Sequence, residues 1–238
     1  MYKRILLKLS GEALADKEHC QTLNCEKLNL IANEIKNLHK MNVEIGVVIG
    51  AGNIWRGKFA DSIGIGHAEA DYMGMIGTII NSVALASALK KQGVKAEVMS
   101  ALMVDPMTIE YDAKKAIEKM KSGVVMVFGG GTGKPFFTTD TAATMRAIEI
   151  NANVILMGKF GVDGVFSDDP RTNPNAHLIK EITFQEIIDK KLEVMDMSAV
   201  ELIKDKDIDI RVFNMNNPNN IKQVVLGENI GTTVRKGK

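Results

Sequence analysis

Residues 127–140 read Val-Phe-Gly-Gly-Gly-Thr-Gly-Lys-Pro-Phe-Phe-Thr-Thr-Asp, which is the end of an apolar strand, a glycine-rich loop and the start of a helix. Glycines let the backbone approach a ligand closely. The helical segment 139–150 offers free N–H groups and a positive dipole end to an anion. The stretch therefore predicts a phosphate site beside something flat enough to meet Phe136 and Phe137. A glycine-rich turn with Thr139 as helix N-cap explains the same residues without a ligand.

Strands and helices alternate on both sides of this stretch. Apolar strand-like segments lie at 4–9, 43–49, 94–99, 124–128 and 153–157, and segments with helical spacing lie at 23–41, 67–92 and 112–121. This rhythm predicts a mainly parallel sheet with helices on both faces, an α/β fold. Ligands bind beyond the carboxyl ends of such strands. The glycine-containing loops after the strands at 4–9, 43–49 and 124–128 all fall there.

The composition changes after residue 157. Residues 158–174 are rich in Gly, Asp, Asn and Pro, and they predict a loop with a short hairpin at 162–165. Helices at 184–190, 199–206 and 219–226 and strands at 209–213 and 232–234 follow. We expect one domain over residues 1–238, with a phosphate-acceptor lobe at about 1–157 and a nucleotide lobe at about 158–238.

Composition argues against several classes of partner. The formal net charge is +1, which argues against a nucleic-acid or anionic-membrane partner. Cys20 and Cys25 are the only cysteines; they make a poor zinc site and predict reduced thiols in a cytoplasm. Residues 1–10 lack the cleavage site of a secretory signal. The apolar runs are expected to be too short to cross a membrane.

Charged residues at strand ends and turns are the candidates for chemistry. Lys8 ends the first strand, where a lysine can offer a point charge to a transferring phosphate; a lysine that reaches solvent is the alternative. Arg56 follows a Gly-Ala-Gly turn and can bind phosphate oxygens in a bidentate way, or it forms a surface ion pair. Asp71 lies in an apolar helix and needs a polar partner or water; a ribose hydroxyl and an N-terminal helix dipole serve equally well.

Asp140 and Asp196 complete this set. Either can orient Lys8 or contact magnesium through water. A helix first-turn acid is the alternative for Asp140, and an N-cap is the alternative for Asp196. The chain lacks the P-loop pattern and the protein-kinase motifs.

Six motifs in one order resemble those of the bacterial UMP kinases, of the amino-acid kinase superfamily. They are Lys8-Leu-Ser-Gly-Glu-Ala13, Gly50-Ala-Gly-Asn-Ile-Trp-Arg-Gly57, Asp71-Tyr-Met-Gly-Met75, Thr132-Gly-Lys-Pro-Phe-Phe-Thr-Thr-Asp140, Val162-Asp-Gly-Val-Phe166 and Arg211-Val-Phe-Asn-Met215. Each motif alone is modest evidence, but six in register from residue 3 to residue 234 are highly specific.

This resemblance implies a three-layer α/β/α sandwich that transfers the γ-phosphoryl group of ATP to UMP with Mg²⁺, giving UDP and ADP for pyrimidine nucleotide (CTP) synthesis. It implies catalytic roles for Lys8, Arg56, Asp140 and Asp196. It implies ATP contacts at Lys8, Leu9, Ser10, Gly11, Gly52, Arg56, Phe160, Phe166 and Asp169. It implies UMP contacts at Ala51, Asp71, Thr132, Gly133, Lys134, Pro135, Phe136, Phe137, Thr138 and Thr139. The nucleotide phosphates are expected to hold Mg²⁺, without direct protein ligands.

The resemblance also implies a homohexamer, a trimer of dimers, that is inhibited by UTP at the UMP site. The methionine-rich helix 67–92 is a candidate interface. Residues 15–22 lack the glycines that take part in GTP activation in many relatives, so we expect weak or absent GTP activation. Ala51, Lys134 and Phe160 replace the usual Gly, Asn and polar residue, and Ala51 would weaken UMP binding if that position needed φ > 0.

Two other functions fit parts of the pattern. A carboxylate or carbamate kinase of the same superfamily is one, although Asp71 and residues 136–139 favour a nucleotide acceptor. A nucleotide sensor without catalytic activity is the other, and the joint presence of Lys8, Arg56 and Asp140 argues against it.

Overall fold

The strands and helices follow each other largely as the sequence predicts. This computed structural model describes residues 1–159, 161–170, 172–192, 194–217 and 219–237. The first part contains β1 (Arg4–Leu9), α1 (Cys25–His39), β2 (Glu44–Ile49), α2 (His67–Lys91), β3 (Ala96–Ser100), β4 (Ile109–Glu110), α3 (Ala113–Lys121), β5 (Val125–Gly129) and α4 (Thr139–Glu149). The second part contains β6 (Val154–Lys159), β7 (Val165–Phe166), β8 (Leu178–Ile179), β9 (Glu181–Thr183), α5 (Phe184–Asp189), α6 (Met197–Ile203), β10 (Asp209–Asn214), α7 (Asn220–Leu226) and β11 (Thr232–Arg235).

Nine of these strands form one sheet in the order β4-β3-β5-β2-β1-β6-β10-β11-β9. The described neighbours are parallel except for β10 and β11. β1 lies in the middle, where Lys8 is paired with Val48 of β2 and with Met157 of β6. The carboxyl ends of β1, β2, β5 and β6 therefore meet at one edge, which is where sheets of this kind bind ligands.

Helices cover both faces of the sheet, which confirms the predicted α/β/α sandwich. The α1, α2 and α7 helices enclose a core that includes Leu7, Val47 and Leu156. The α3 to α6 helices enclose a second core on the opposite face, which includes Leu6 and Ile155. The central strands are apolar at nearly every position because both faces are covered. Each fully buried Leu or Ile side chain stabilises the fold by roughly 1.5–3 kcal/mol.

Strand alternation decides which charged side chains reach the same face. Leu6 of β1 lies in the core under α3 to α6, so Lys8, two residues further, projects to that face as well. Met157 of β6 lies in the same core, so Lys159 also projects there. Both lysines therefore lie on the side of the sheet that α4 covers.

The length of α2 corrects one expectation. This 25-residue helix is long and apolar enough to cross a membrane by length and composition, with a mean hydropathy of 1.5 over its best window. However, 56% of that window is buried inside the molecule, and a helix that is apolar on several faces is typical of a protein core. The α2 helix also carries an exposed apolar stripe formed by Met73, Ile76 and Ile80.

Two local predictions are wrong. The hairpin predicted at 162–165 does not form, because β7 pairs antiparallel with β8 across a longer connection. The N-cap of α4 is Thr138, whose side chain accepts a hydrogen bond from the Thr141 N–H, whereas Thr139 is the first residue of the helix. The short strands β4 and β9 were not predicted, because two or three residues carry no measurable periodicity.

Candidate active site

A cavity of about 260 Å³ lies at the carboxyl edge of β2 and β5, between α2 and the start of α4. Its lining includes six residues predicted to contact a nucleotide, namely Ala51, Gly52, Asp71, Phe137, Thr138 and Thr139. The predicted residues from Thr132 to Phe136 are not part of this lining. Val48, Met75 and Phe128 give the cavity apolar walls. The structure thus brings part of the predicted acceptor site together around one cavity.

The glycine-rich loop after β5 owes its shape to its glycines. Gly130, Gly131 and Gly133 have φ values of 74°, 57° and 79°, in the left-handed region that favours glycine. A Cβ atom on Gly130 would lie 2.6 Å from the Ser100 Oγ. The Gly130 N–H donates to the Thr78 Oγ1 at 2.9 Å. These contacts account for the glycines as elements of the loop itself, as well as of any ligand site.

Asp71 fixes the far end of this loop. Its Oδ2 accepts a hydrogen bond of 2.6 Å from the Phe136 N–H. Phe136 has φ of 70°, a backbone conformation that costs a residue with a side chain about 1–3 kcal/mol. The Phe136 side chain is 73% exposed, while Phe137 lines the cavity. Asp71 therefore has a polar partner within the protein and orders the loop whether or not it also binds a ribose.

Thr132 and Lys134 form a tight turn on the outer part of the loop. The Thr132 hydroxyl donates to the Lys134 carbonyl at 2.9 Å and accepts from the Lys134 N–H at 3.1 Å. The Lys134 side chain is exposed. The charge that replaces the usual asparagine thus lies outside the cavity wall.

Two lysines and an aspartate lie within electrostatic range of one another at the ends of β1 and β6 and in the first turn of α4, next to the cavity-lining Thr139. The Lys8 Nζ lies 2.6 Å from the Asp140 Oδ1, and these side chains are 16% and 18% exposed. The contact is an ion pair without hydrogen-bond alignment at Oδ1. The predicted orientation of Lys8 by Asp140 thus has a geometric basis.

Lys159 is the second lysine, and the sequence reasoning missed it. Its Nζ donates to the Val194 carbonyl at 2.8 Å. Burial lowers the pKa of Lys159, the charge of Lys8 lowers it further, and Asp140 opposes this shift. Two ammonium groups and one carboxylate give the cluster a formal charge of +1, which suits a transferring phosphoryl group. A lysine at the end of an apolar strand was the signal for Lys8, and the same signal identifies Lys159.

Arg56 is held by two acceptors in the loop after β2 and in the turn after β1. Its Nε donates to the Gly52 carbonyl at 3.1 Å, and its Nη2 contacts the Glu12 Oε1. The Lys17 Nζ lies 2.7 Å from the Glu12 Oε2. Ser10 caps the short 3₁₀ helix Gly11–Leu14 that carries Glu12. Arg56 therefore forms an ion pair within the protein at the place predicted for phosphates.

Gly11 is required by a close contact between the turn after β1 and the loop after β2. A Cβ atom there would lie 2.2 Å from the Asn53 Oδ1 and 2.3 Å from the Gly50 carbonyl. The fully buried Asn81 of α2 donates to that carbonyl and to the Asn53 Oδ1, each at 2.8 Å. The Leu9 side chain is fully buried, and its carbonyl accepts from the Gly50 N–H at 2.9 Å. Backbone and amide contacts thus fix both loops against the sheet edge.

Ala51 does not have the left-handed backbone that would penalise an alanine. Its carbonyl accepts hydrogen bonds of 2.8 Å from the N–H groups of Ile54 and Trp55. An alanine at this position is therefore compatible with the turn.

The remaining predicted residues lie in the second part of the chain. Asp196 is exposed and precedes α6 without forming a side-chain cap; it lies two residues after Val194, the acceptor of Lys159. Phe166 is half-buried in β7 opposite Leu178. The Asp169 carbonyl accepts from two N–H groups further along its loop. Phe160 lies outside the described residues.

Arg146 of α4 is another residue that the sequence reasoning missed. It is 4% exposed and lines the cavity. Its Nη2 donates to the Gly131 carbonyl at 3.0 Å, and its guanidinium carbon lies 3.6 Å from the centre of the Tyr111 ring. Burial and the hydrogen bond to Glu149 raise the pKa of Tyr111, so the phenol remains a donor. An arginine on the buried, alanine-rich face of α4 is the signal that could have identified it.

Known proteins are similar to this chain in sequence and fold over nearly their whole length. Residues 3–214 match the model of the amino acid kinase family. The UMP kinase from Bacillus anthracis superposes with a TM-score of 0.96 at 38% identity, covering 100% of this chain and 97% of that one. The UMP kinase from Ureaplasma parvum superposes with a TM-score of 0.93 at 38% identity, covering 99% of this chain and 100% of that one. The uridylate kinase from Archaeoglobus fulgidus superposes with a TM-score of 0.74 at 28% identity, covering 97% of this chain and 99% of that one.

Proposed function

Because this chain belongs to the amino acid kinase family, we propose that it is a UMP kinase that transfers the γ-phosphoryl group of ATP to UMP. The observation that carries this proposal is the end-to-end match to two UMP kinases at 38% identity. The products, UDP and ADP, place the reaction in pyrimidine nucleotide synthesis, on the way to CTP.

UMP is proposed to occupy the cavity between α2 and α4. The apolar walls suit a flat base, and the free N–H groups at the start of α4 suit a phosphate. Asp71 can accept from a ribose hydroxyl while it holds the Phe136 N–H. Arg146 supports this site indirectly, because it fixes the Gly131 carbonyl in the loop that borders the cavity.

ATP is proposed to lie beyond the ends of β1 and β6, with its phosphates near residues 8–11, Gly52 and Arg56. Residues 1–157 would then form the UMP lobe with the phosphate loops, and residues 158–238 would form the lobe that holds the adenosine, including Phe160, Phe166 and Asp169. The position of Lys8 between β2 and β6 supports this division, since it lies where the two parts of the sheet meet.

The mechanism needs position and charge more than a strong base. A UMP phosphate oxygen attacks the γ-phosphorus as the bond to the β–γ bridging oxygen breaks, and ADP leaves. The acceptor phosphate is already ionised at neutral pH because its second pKa is about 6. Lys8, Lys159 and Arg56 offset the charge on the phosphoryl oxygens, and Asp140 orients Lys8.

Mg²⁺ is proposed to enter with ATP. No three acidic, histidine or cysteine side chains converge among the described residues. Mg²⁺ commonly binds through one or two carboxylates, water and substrate phosphates. Asp140 and Asp196 are the side chains that would contact it through water, and the ion would offset phosphate charge.

Assembly, regulation and compartment complete the proposal. The exposed stripe of Met73, Ile76 and Ile80 on α2 supports burial against a second copy in a homohexamer, a trimer of dimers. UTP inhibition at the UMP site is proposed from the family resemblance. Weak or absent GTP activation is proposed from a departure from the family, the lack of glycines at residues 15–22. The two exposed free cysteines support a cytoplasmic location.

An assay of ADP release tests the activity directly. With ATP and Mg²⁺, UMP should support turnover far better than carbamate or glutamate analogues, and CMP and dUMP in the same assay measure the nucleotide preference. Phosphorylation of a carboxylate or of carbamate, but not of UMP, would refute the proposal. Sedimentation and UTP and GTP titrations of the same preparation test the assembly and the regulation.

A further inference from the structure

Glu12 presents a carboxylate to the guanidinium that the proposed reaction needs for phosphate. Its Oε1 contacts the Arg56 Nη2. A Cβ atom built on Gly52 would lie 3.8 Å from this same Oε1, so the carboxylate lies against the loop proposed to face the ATP phosphates. An anion in this position has the charge and the arginine partner of a phosphate oxygen.

Lys17 holds the other oxygen of the same carboxylate. Its Nζ lies 2.7 Å from the Glu12 Oε2, and its side chain is 72% exposed. Lys17 belongs to a turn closed by two backbone hydrogen bonds of 2.8 Å between Asp16 and Gln21. Glu12 is therefore shared between one cation at the phosphate site and one cation on a separate surface turn.

We propose that Glu12 is an internal competitor for the nucleotide phosphate at Arg56, and that Lys17 weakens this competition by drawing the carboxylate away. This inference rests on the proposed function, because it takes Arg56 as a phosphate ligand. Binding of ATP requires Arg56 to exchange Glu12 for a phosphate oxygen, and Lys17 then retains Glu12. Glu12 and Lys17 act through Arg56 and are positioning residues.

The two positioning residues must have opposite effects on ATP affinity. Glu12→Gln removes the competing charge, so ATP should bind about two- to fivefold more tightly, the range expected for a partly exposed ion pair. Lys17→Met leaves Glu12 to Arg56 alone, so ATP should bind about twofold more weakly. The double variant should match Glu12→Gln, since Lys17 acts only through Glu12. In an Arg56→Met background, Glu12→Gln should have no effect.

The test has two measurements on the full chain. ATP binding in the presence of Mg²⁺ is monitored by the fluorescence of Trp55, the only tryptophan. The KM for ATP is measured at saturating UMP. Glu18→Gln and Lys58→Met, exposed residues of the same regions, are the matched controls and should leave the affinity unchanged. Shifts of opposite sign with unchanged kcat support the inference. Weaker ATP binding in Glu12→Gln, or equal affinities in all variants, overturns it.

Failure of the two proposals can be told apart. If the wild-type chain binds ATP but does not phosphorylate UMP, the proposed function fails, while the fluorescence titration still tests the competition. If UMP is phosphorylated and the affinities do not change, the competition alone is refuted. A wild-type chain that binds no ATP refutes both.

Discussion

Replacing Lys8 by Met tests the charge cluster at the centre of the sheet. The Lys8 Nζ lies 2.6 Å from the Asp140 Oδ1. Two unit charges at this distance interact by about 6 kcal/mol at an effective dielectric constant of about 20. A phosphoryl oxygen in similar contact gains less, because Lys8 is 16% exposed and must be shared with Asp140. We therefore expect a loss of about 3–4 kcal/mol of transition-state stabilisation, a fall in kcat of about 10²- to 10³-fold.

The matched variant Asp140→Asn separates charge from position. It raises the formal charge of Lys8, Lys159 and residue 140 from +1 to +2, so ATP should bind at least as well. However, Lys8 loses its anchor, and kcat should fall about tenfold or more. Initial rates of ADP release with UMP give kcat and the KM for ATP. Calorimetry should show that both variants still bind UMP. A Lys8→Met enzyme that keeps more than about a tenth of wild-type kcat would refute the assigned role.

Three further predictions concern the loops and the second lysine. Gly11→Ala should lower the free energy of unfolding by about 1–3 kcal/mol, because its Cβ would collide with the Gly50 carbonyl; Gly57→Ala, with open space, should change the urea midpoint little, and equal effects would contradict the packing argument. Asp71→Ala should raise KM for UMP about tenfold or more and leave KM for ATP within about twofold; Asp71→Asn should lose less, since its amide oxygen can still accept from Phe136, and an unchanged KM for UMP in the alanine variant would count against the site. The pKa of Lys159 is lowered from 10.5, so between the folded and the unfolded pKa the unfolded chain binds more protons, and the free energy of unfolding rises with pH. Lys159→Met should remove this alkaline rise in urea titrations, and an unaltered slope would show that the lysine is not responsible.

The sequence predicts the layers and the sheet edge well, because long apolar strands and helices have clear periods. Lys8 and Asp71 were identified because a charge in an apolar segment needs a partner. The residues that contact them within the protein were harder to predict. The hydrogen bond between Asp71 and Phe136 joins residues 65 positions apart, and no local sequence pattern indicates such a contact. Arg146 was missed because its partners, Tyr111 and Gly131, come from two other segments.

The errors have equally local causes. Residues 162–165 contain an Asp-Gly pair that is typical of a hairpin, yet the β7 strand finds its partner in β8. Thr138 and Thr139 offer the same capping hydroxyl, and sequence alone does not choose between neighbours. The apolar length of α2 was underestimated because glycines and polar residues such as Asn81 and Ser82 interrupt any simple hydrophobic run.

The side-to-side alternation of β1 has a consequence for how this protein can change in evolution. Lys8 reaches Asp140 because it has the same parity as Leu6. Deleting or inserting one residue within Arg4–Leu9 would turn the lysine toward α1 and α2 and send leucines toward α4. Length changes should therefore accumulate in surface turns such as residues 15–22. The number of residues in β1, which lies between the two halves of the sheet, should stay fixed.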